Sequence, residues 1–332
     1  MARPKKRTTE TPPVKSNSFI DALKFISAVT KETGQPNETH VHLQNGWVTA
    51  FNGVLAAGQK IQEDLFCAPN NQLMIEALSK CGEHLSITQL DNNRLSIKSE
   101  KFKAIVPCVD PIILQVPIPD APLGEVTDKL KTAIEAVGVL ADDKAAQVYR
   151  ASVLMRSGSV VATTGTILFE FWHGIDLPTI AIPKSFVQSL SKLSKRLTKF
   201  GFSQSSITFY FEDESWLRTQ LYADQWPNIE EILSHKSNPW TLPQDFYKGL
   251  DAVAPFSIDE TVYFKKDLMC SHSTEKEGAT YEVTGLPGGL VYSIKQLYLI
   301  KQYVKTIDFF VEGKFTYFFG DAIRGVIAGR SQ

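Results

Sequence analysis

The sequence is poor in the features that announce chemistry. It holds four cysteines, Cys67, Cys81, Cys108 and Cys270, with no CxxC spacing and no cluster of histidines beside them. That argues against a zinc site or a disulfide framework and predicts buried or half-buried thiols in a reducing compartment. No apolar run approaches the roughly 20 residues of a membrane-spanning helix. The basic start, Met1-Ala-Arg-Pro-Lys-Lys-Arg7, has no apolar stretch behind it and does not read as a secretory signal. No GK[ST] follows the glycine-rich segment Gly285–Gly289, so no phosphate loop is expected there. No motif suggests a Ser-His-Asp or Cys-His nucleophile. His40 and His42 fall on one face of a strand, but no third ligand is evident, and a structural role is expected. Glu212-Asp213-Glu214 reads as a solvated turn rather than a magnesium site. The expectation is a protein that is not an enzyme, with no catalytic residue, no metal and no cofactor.

What the sequence does have is repetition. A unit of about 100 residues recurs three times, each copy in the order amphipathic helix, strand pair, second amphipathic helix, strand pair. Copy one reads Phe19 to Val29, His40 to Ile61, Asn71 to Gly82 and Leu85 to Cys108. Copy two reads Leu130 to Leu140, Ala151 to Trp172, Pro183 to Gly201 and Ile207 to Asp224. Copy three reads Phe246 to Ala254, Glu260 to Val283, Ser293 to Thr306 and Ile307 to Ala328. Linkers fall at the proline-rich stretch Asp110 to Thr127 and at Ser234 to Pro243. Residues 1–16 lack an apolar pattern and read as a disordered basic tail, either a solvated terminus or a DNA-touching arm. The expected domains are 17–120, 121–236 and 237–332.

The net charge is only −1, yet the charges are unevenly placed. Phe186, Leu190, Leu193, Leu197 and Phe200 recur at spacings of four and three, which predicts one helix from Pro183 to Gly201. Its other face would carry Lys192, Lys195 and Lys199 with Arg196 beside them, and no acid lies in the segment. The segment Ser293 to Thr306 repeats the pattern with Lys295, Lys301 and Lys305 facing outward. Lys24 and Lys31 mark the first helix of copy one, Lys80 the second, and Lys248 the first helix of copy three. Like charges at neighbouring turns repel, and a polyanion would offset that cost. Lysines spread along helix faces suit phosphates, and the helices lack residues placed to read base edges, so the expected DNA contact is independent of sequence.

The strands alternate in polarity and are β-branched or aromatic, as in Ser206-Ile-Thr-Phe-Tyr-Phe211. Turns are marked at Asn45-Gly46, Asp91-Asn92-Asn93, Ser157-Gly158 and Glu312-Gly313. Antiparallel sheets with paired helices on one face make an α+β layer. Open sheet edges at the chain ends are aggregation-prone unless another subunit pairs with them.

In that order and spacing the chain resembles the bacterial β-type DNA polymerase sliding clamps over residues 17 to 332. Arg94-Leu-Ser-Ile-Lys-Ser-Glu-Lys-Phe-Lys-Ala-Ile-Val-Pro107 resembles the end of a clamp's first domain. Val161-Ala-Thr-Thr-Gly-Thr-Ile-Leu168 resembles the strand-turn of the second, and Asp224-Gln-Trp-Pro-Asn-Ile-Glu-Glu-Ile-Leu233 its exit. The resemblance implies an α+β fold of three tandem clamp domains, each with two helices on antiparallel sheet, closing as a homodimeric six-domain ring. It implies a processivity factor that encircles duplex DNA and tethers the replicative polymerase in the cytoplasm. It also implies a pocket for a short apolar peptide of polymerase or clamp loader. By position, that pocket takes Leu154, Thr163, Gly165, Thr166, Leu168, Pro227, Ile232, Val326 and Ala328. Thr164 and Thr166 replace the Asp and His of the clamp turn, and the ending Ala328-Gly-Arg-Ser-Gln332 replaces an apolar one. The short length fits a phage or prophage source. Two readings stand beside this one: a clamp-fold scaffold that binds nucleic acid or a partner without closing a ring, and a DNA-processing enzyme, for which no carboxylate cluster is present.

Overall fold

A computed structural model describes residues 16–82, 85–223, 226–311 and 315–329. The hairpin turn expected at Glu312-Gly313 lies outside the described residues. A similar order of elements recurs three times along the chain. The first pass holds α1 (Ser16–Ile26), α2 (Pro36–Thr39), β1 (His42–Gln44), β2 (Trp47–Phe51), β3 (Leu55–Lys60), β4 (Ala68–Pro69), α3 (Asn71–Ser79), β5 (Ser86–Leu90), β6 (Arg94–Ser99) and β7 (Phe102–Val109). A 3-10 turn (Pro111–Ile113) and β8 (Gly124–Glu125) lead into the second pass. That pass holds α4 (Asp128–Gly138), α5 (Val148–Ala151), β9 (Ser152–Arg156), β10 (Ser159–Thr163), β11 (Ile167–Trp172), β12 (Ile180–Pro183), α6 (Lys184–Ser191), β13 (Leu197–Phe202), β14 (Ser206–Phe211) and β15 (Trp216–Gln220). After α7 (Glu230–Leu233) and β16 (Trp240–Thr241) come α8 (Phe246–Val253), β17 (Thr261–Lys265), β18 (Leu268–Cys270), β19 (Thr280–Glu282), β20 (Leu290–Ser293), α9 (Ile294–Ile300), β21 (Thr306–Val311), β22 (Phe315–Phe319) and β23 (Ile323–Ala328).

Of the described residues, those up to 131 together with 185–223 form one compact unit, and those of 132–184 with those from 226 on form a second. The first unit holds a seven-stranded antiparallel sheet, β1-β2-β3-β15-β14-β13-β8, and a four-stranded sheet, β4-β7-β6-β5. The β1–β2 hairpin turns on Asn45 and Gly46 at φ +52° and +72°, the pair of positive values that a two-residue hairpin of the right twist requires. Directly opposite residues share a face of a sheet. One face of the seven-stranded sheet presents Ala50, Ala57, Leu217, Phe209 and Phe200 in a row. There Phe186 of α6 meets Phe209 edge-on at 5.2 Å. Burying two such rings contributes about 1.5–3 kcal/mol each. The other face presents Thr49, Gly58, Trp216, Tyr210 and Lys199. Trp216 lies flat over Gly58, where a Cβ would stand 2.4 Å from the indole, so only glycine fits. In the same unit Asn71 Nδ2 ties α3 to the end of α1 by donating to Leu23 O, Ser27 Oγ and Thr30 Oγ1 at 3.3, 3.0 and 3.0 Å.

The second unit holds an eight-stranded sheet, β12-β9-β10-β11-β23-β22-β21-β16, and a four-stranded one, β19-β18-β17-β20. Its core is aromatic: Phe246 meets Phe264 edge-on at 5.7 Å, and Phe169 meets Phe318 at 5.3 Å.

Two expected helices end early. The helix predicted from Pro183 to Gly201 stops at Ser191, and Leu197–Phe202 is strand β13. The cause is a register shift in β13 between Leu197 and Lys199, paired against β14. A bulge adds one residue, so Leu197 and Phe200, three apart, both turn inward at 1% and 6% exposure. Three-residue spacing in a bulged strand imitates the stripe of a helix. The helix expected to run to Thr306 likewise stops at Ile300, and β21 begins at Thr306.

Candidate nucleic-acid and peptide interfaces

The eleven expected DNA-facing cations divide by their neighbours. Lys31 pairs with Glu38, Lys195 with Asp213, Arg196 with Glu212, Lys248 with Asp245, Lys301 with Asp251 and Lys305 with Asp321. Lys195 also stands 4.4 Å from the Phe25 ring centroid. Burial alone would raise the Asp213 carboxyl, but hydrogen bonds from Lys195 and Ser215 outweigh it and hold the group below its ordinary value. The lysine side of this hairpin is therefore locally neutralised, which a sequence scan for acids within one segment does not reveal. Lys24, Lys80, Lys192, Lys199 and Lys295 are exposed and have no ion pair among the described residues. Lys24 lies on α1, Lys80 caps α3, Lys192 follows α6 and Lys295 lies on α9. Lys199 does not join them, because it shares the sheet face of Trp216 and Tyr210, opposite the face that packs on α6.

The nine expected peptide-pocket residues fall in the second unit. Leu154, Val161, Glu170 and Arg324 form one row on the eight-stranded sheet, and Thr163, Leu168, Val326 and Tyr317 the next. Leu154, Leu168 and Val326 are brought together and are 4–7% exposed. They are covered by the chain's own linker: Ile229 and Leu233, with Trp226 against them, close over Leu154, Val161 and Leu168. The resemblance, carried over by position, pointed to Pro227 and Ile232 in this linker. The short helix α7 instead turns Ile229 and Leu233, four apart, to the sheet, leaving Pro227 exposed and Ile232 36% exposed. The Thr163–Thr166 turn passes through Gly165 at φ +94° and is internally bonded, Thr163 Oγ1 donating to Ile167 O at 2.8 Å. Thr166 accepts from Gln296 Nε2 of α9 at 2.8 Å, and its carbonyl accepts from the amide of Ala328 at 2.8 Å.

A buried ionic group holds this linker down, and sequence reasoning missed it. Glu170 is fully buried. Its Oε1 accepts from Arg156 Nη2 at 2.7 Å and Ser159 Oγ at 2.8 Å, and its Oε2 from Arg324 Nε at 2.6 Å. Arg324 Nη1 then donates to Leu233 O at 2.9 Å, and Arg156 pairs with Glu230 of α7. Tyr317 Oη adds a bond to Ile232 O at 2.8 Å. The one available signal was a lone acid inside the apolar run Ile167-Leu-Phe-Glu-Phe-Trp172. In the first unit Asp120 plays the same part for the first linker, accepting from Ser206 and Thr208 hydroxyls at 2.8 Å, with Arg218 at 3.7 Å.

The sheet edges form a pattern. In the first unit β3 joins β15, with Gly58 opposite Trp216 and Ala57 opposite Leu217. In the second, β11 makes the same join with β23, with Leu168 opposite Val326. Both are a third strand of one repeat paired with the last strand of another. The strands left at those two positions are β19 and β7. Among the described residues, β19 pairs only with β18, and Phe102–Pro107 of β7 pair only with β6.

No family model and no curated protein matches the sequence. Solved structures do match. A DNA polymerase sliding clamp from Pseudomonas aeruginosa is 12% identical with a TM-score of 0.80, covering 96% of this chain and 99% of that one. The C. crescentus β sliding clamp is 13% identical with a TM-score of 0.80, over 96% and 98%. A Helicobacter pylori β clamp bound to a DNA ligase peptide is 13% identical with a TM-score of 0.75, over 96% and 99%. Mixed helices and antiparallel sheets in this order define an α+β protein of repeated clamp-like units. The fold is that of the bacterial β sliding clamp.

Proposed function

We propose that this chain is a DNA polymerase processivity factor: a homodimeric ring of three domains per chain, 17–120, 121–236 and 237–332, that encircles duplex DNA without sequence preference. The single observation that carries the reading is the edge pattern. The chain makes one strand-to-strand join twice, at β3–β15 and β11–β23, and leaves the two halves of a third, β19 and Phe102–Pro107 of β7, each with one edge open among the described residues. One chain cannot use an open edge at each end economically, whereas a second copy placed head to tail satisfies both and closes the assembly. Ile105 on β7, 43% exposed, offers such a join an apolar contact.

Lys24, Lys80, Lys192 and Lys295 then supply weak phosphate contacts, and tethering raises the polymerase's local concentration without any chemistry. The partner peptide seats at the rim made by Gly165, Thr166, Pro227, Ile232 and Ala328, above the floor of Leu154, Leu168 and Val326. The setting is the cytoplasm of a bacterial cell or a phage-infected host.

Solution mass tests the ring. At micromolar concentration the full chain is expected at twice 37.0 kDa, and Ile105→Asp at the monomer mass with its fold retained. Wild-type protein that stays monomeric sinks the proposal. Retention is the second arm: protein loaded on closed circular DNA should stay bound where linear DNA lets it run off, and Lys24→Glu with Lys192→Glu should reduce loading.

A further inference from the structure

The linker-covered faces of the two units differ in one respect. On the eight-stranded sheet, the second linker fills the space over Leu154 and Val161 with Ile229 and Leu233. Hairpin register gives the matching positions on the seven-stranded sheet. Counting back from Asn45-Gly46 and from Ser157-Gly158, His42 matches Leu154 and Thr49 matches Val161. Across the joins, Gly58 and Trp216 match Glu170 and Arg324. Here the first linker does not fill the space. Leu114 alone of its isoleucines and leucines up to Ile118 turns in, at 8% exposure, while Ile112, Ile113 and Ile118 are 74%, 57% and 86% exposed. What remains is a groove of about 1070 Å³ inside the first unit, with Trp47, Trp216 and Tyr210 in its lining and Pro117-Ile118-Pro119 along one wall.

Its rim carries charge of one uncompensated sign. Lys60 pairs with Glu214, and Arg196 with Glu212 at 3.4 Å. Lys199, beside Tyr210 in the lining, is a third cation against these two carboxylates, and its charge also acts on Glu214. Aromatic and aliphatic walls with one cation in excess over the carboxylates suit an apolar segment that carries a carboxylate. The chain itself shows what such a face accepts. Trp226-Pro-Asn-Ile-Glu-Glu-Ile-Leu233 buries Ile229 and Leu233, packs Trp226 against them, and pairs Glu230 with Arg156.

We propose that the groove on the seven-stranded sheet is a docking site for a peptide segment of a partner protein, with aromatic and aliphatic side chains that enter between Trp47, Trp216 and Ile118 and a carboxylate that meets Lys199. It is a second docking face, distinct from the rim at Gly165, Thr166 and Pro227, and it does not depend on ring closure.

The probe is the fluorescently labelled octapeptide Trp-Pro-Asn-Ile-Glu-Glu-Ile-Leu, titrated against the full chain by anisotropy. Binding with a Kd of about 100 μM or tighter is expected for a segment of this size. Ile118→Asp, on a side chain almost wholly in solvent, should weaken it at least tenfold, and so should Thr49→Arg, which puts a guanidinium into the groove. Lys199→Glu should weaken it about threefold to tenfold, while a probe with both glutamates replaced by glutamine should lose that dependence, as a charge-assisted contact requires. Circular dichroism melts confirm that each variant folds. No binding, or binding indifferent to Ile118→Asp and Thr49→Arg, overturns the proposal. So does self-association that Ile118→Asp abolishes in the absence of probe, since a second copy would then be the occupant.

Discussion

Glu170→Gln isolates what holds the second linker in place. The substitution keeps the volume of the side chain, so no cavity term enters. It removes the charge between Arg156 and Arg324, which contact Glu170 at 2.7 and 2.6 Å. Removing one partner of a buried ion pair costs about 3–5 kcal/mol because the other charge is left uncompensated. The two arginine side chains keep 21% and 27% exposure, so water screens part of that penalty. The expected loss is about 2–4 kcal/mol in urea unfolding of the full chain, after that discount from the fully buried case. The damage should be local first. Arg324 loses its anchor, its bond to Leu233 O weakens, and hydrogen exchange across Trp226–Leu233 should rise before global unfolding. A double-mutant cycle with Arg324→Gln should return a coupling of about 1–3 kcal/mol, as expected for residues in one network. A cost below about 1 kcal/mol, the range of exposed pairs, together with unchanged exchange at Leu233, would refute the reasoning.

Two further outcomes follow from the titratable groups. Burial lowers the pKa of His173, and its Nδ1 accepts from the Ile175 amide at 3.0 Å, a bond that ring protonation at that nitrogen breaks. The unfolded histidine takes up a proton near pH 6.5 while the folded one resists, so stability is full above that pH and falls as pH drops through the lowered value. Urea midpoints at pH 5, 6 and 7 should rise in that order, and His173→Gln should flatten the slope; an identical slope in the variant removes His173 from the account. Among the thiols, a hydrogen bond from Cys67 holds Cys108 below its ordinary pKa, while burial raises Cys81. Brief iodoacetamide treatment at pH 8 followed by peptide mapping should therefore find Cys108 alkylated before Cys81, since the thiolate is the reacting form; the reverse order contradicts the thiol pair.

How far the sequence could be read depended on the distance over which each feature is encoded. The α1, α4 and α8 helices and the Asn45-Gly46 hairpin are local: apolar spacing and two turn residues specify them. Strand β13 defeated the same reading because its bulge between Leu197 and Lys199 produces helix-like spacing in extended chain. The charge reading failed for a related reason. Lys195 has no acid within its own segment, yet it meets Asp213, 18 residues on, across a strand turn. The Glu170 network lay further out of reach, since Arg156 and Arg324 stand 14 and 154 residues away. Ile229 and Leu233 were missed by two positions and one, because the exit motif was placed by its proline rather than by the face of α7.

These corrections move the weight of the functional reading from charge to strand edges. With six of the eleven expected cations locally paired and Lys199 on the sheet, four of them per chain, Lys24, Lys80, Lys192 and Lys295, stay unpaired on or beside helices among the described residues. In a homodimer, that makes about eight phosphate contacts and a log-log salt slope of about −7, a grip that rising salt removes. A protein held by charge alone would leave both linear and circular DNA at a few hundred millimolar salt. A closed ring would leave only the linear form, because its retention depends on the joins at β7 and β19 rather than on the lysines. High-salt retention confined to circular DNA, lost in Ile105→Asp and kept in Lys24→Glu once loaded, is the result that this edge-based argument requires.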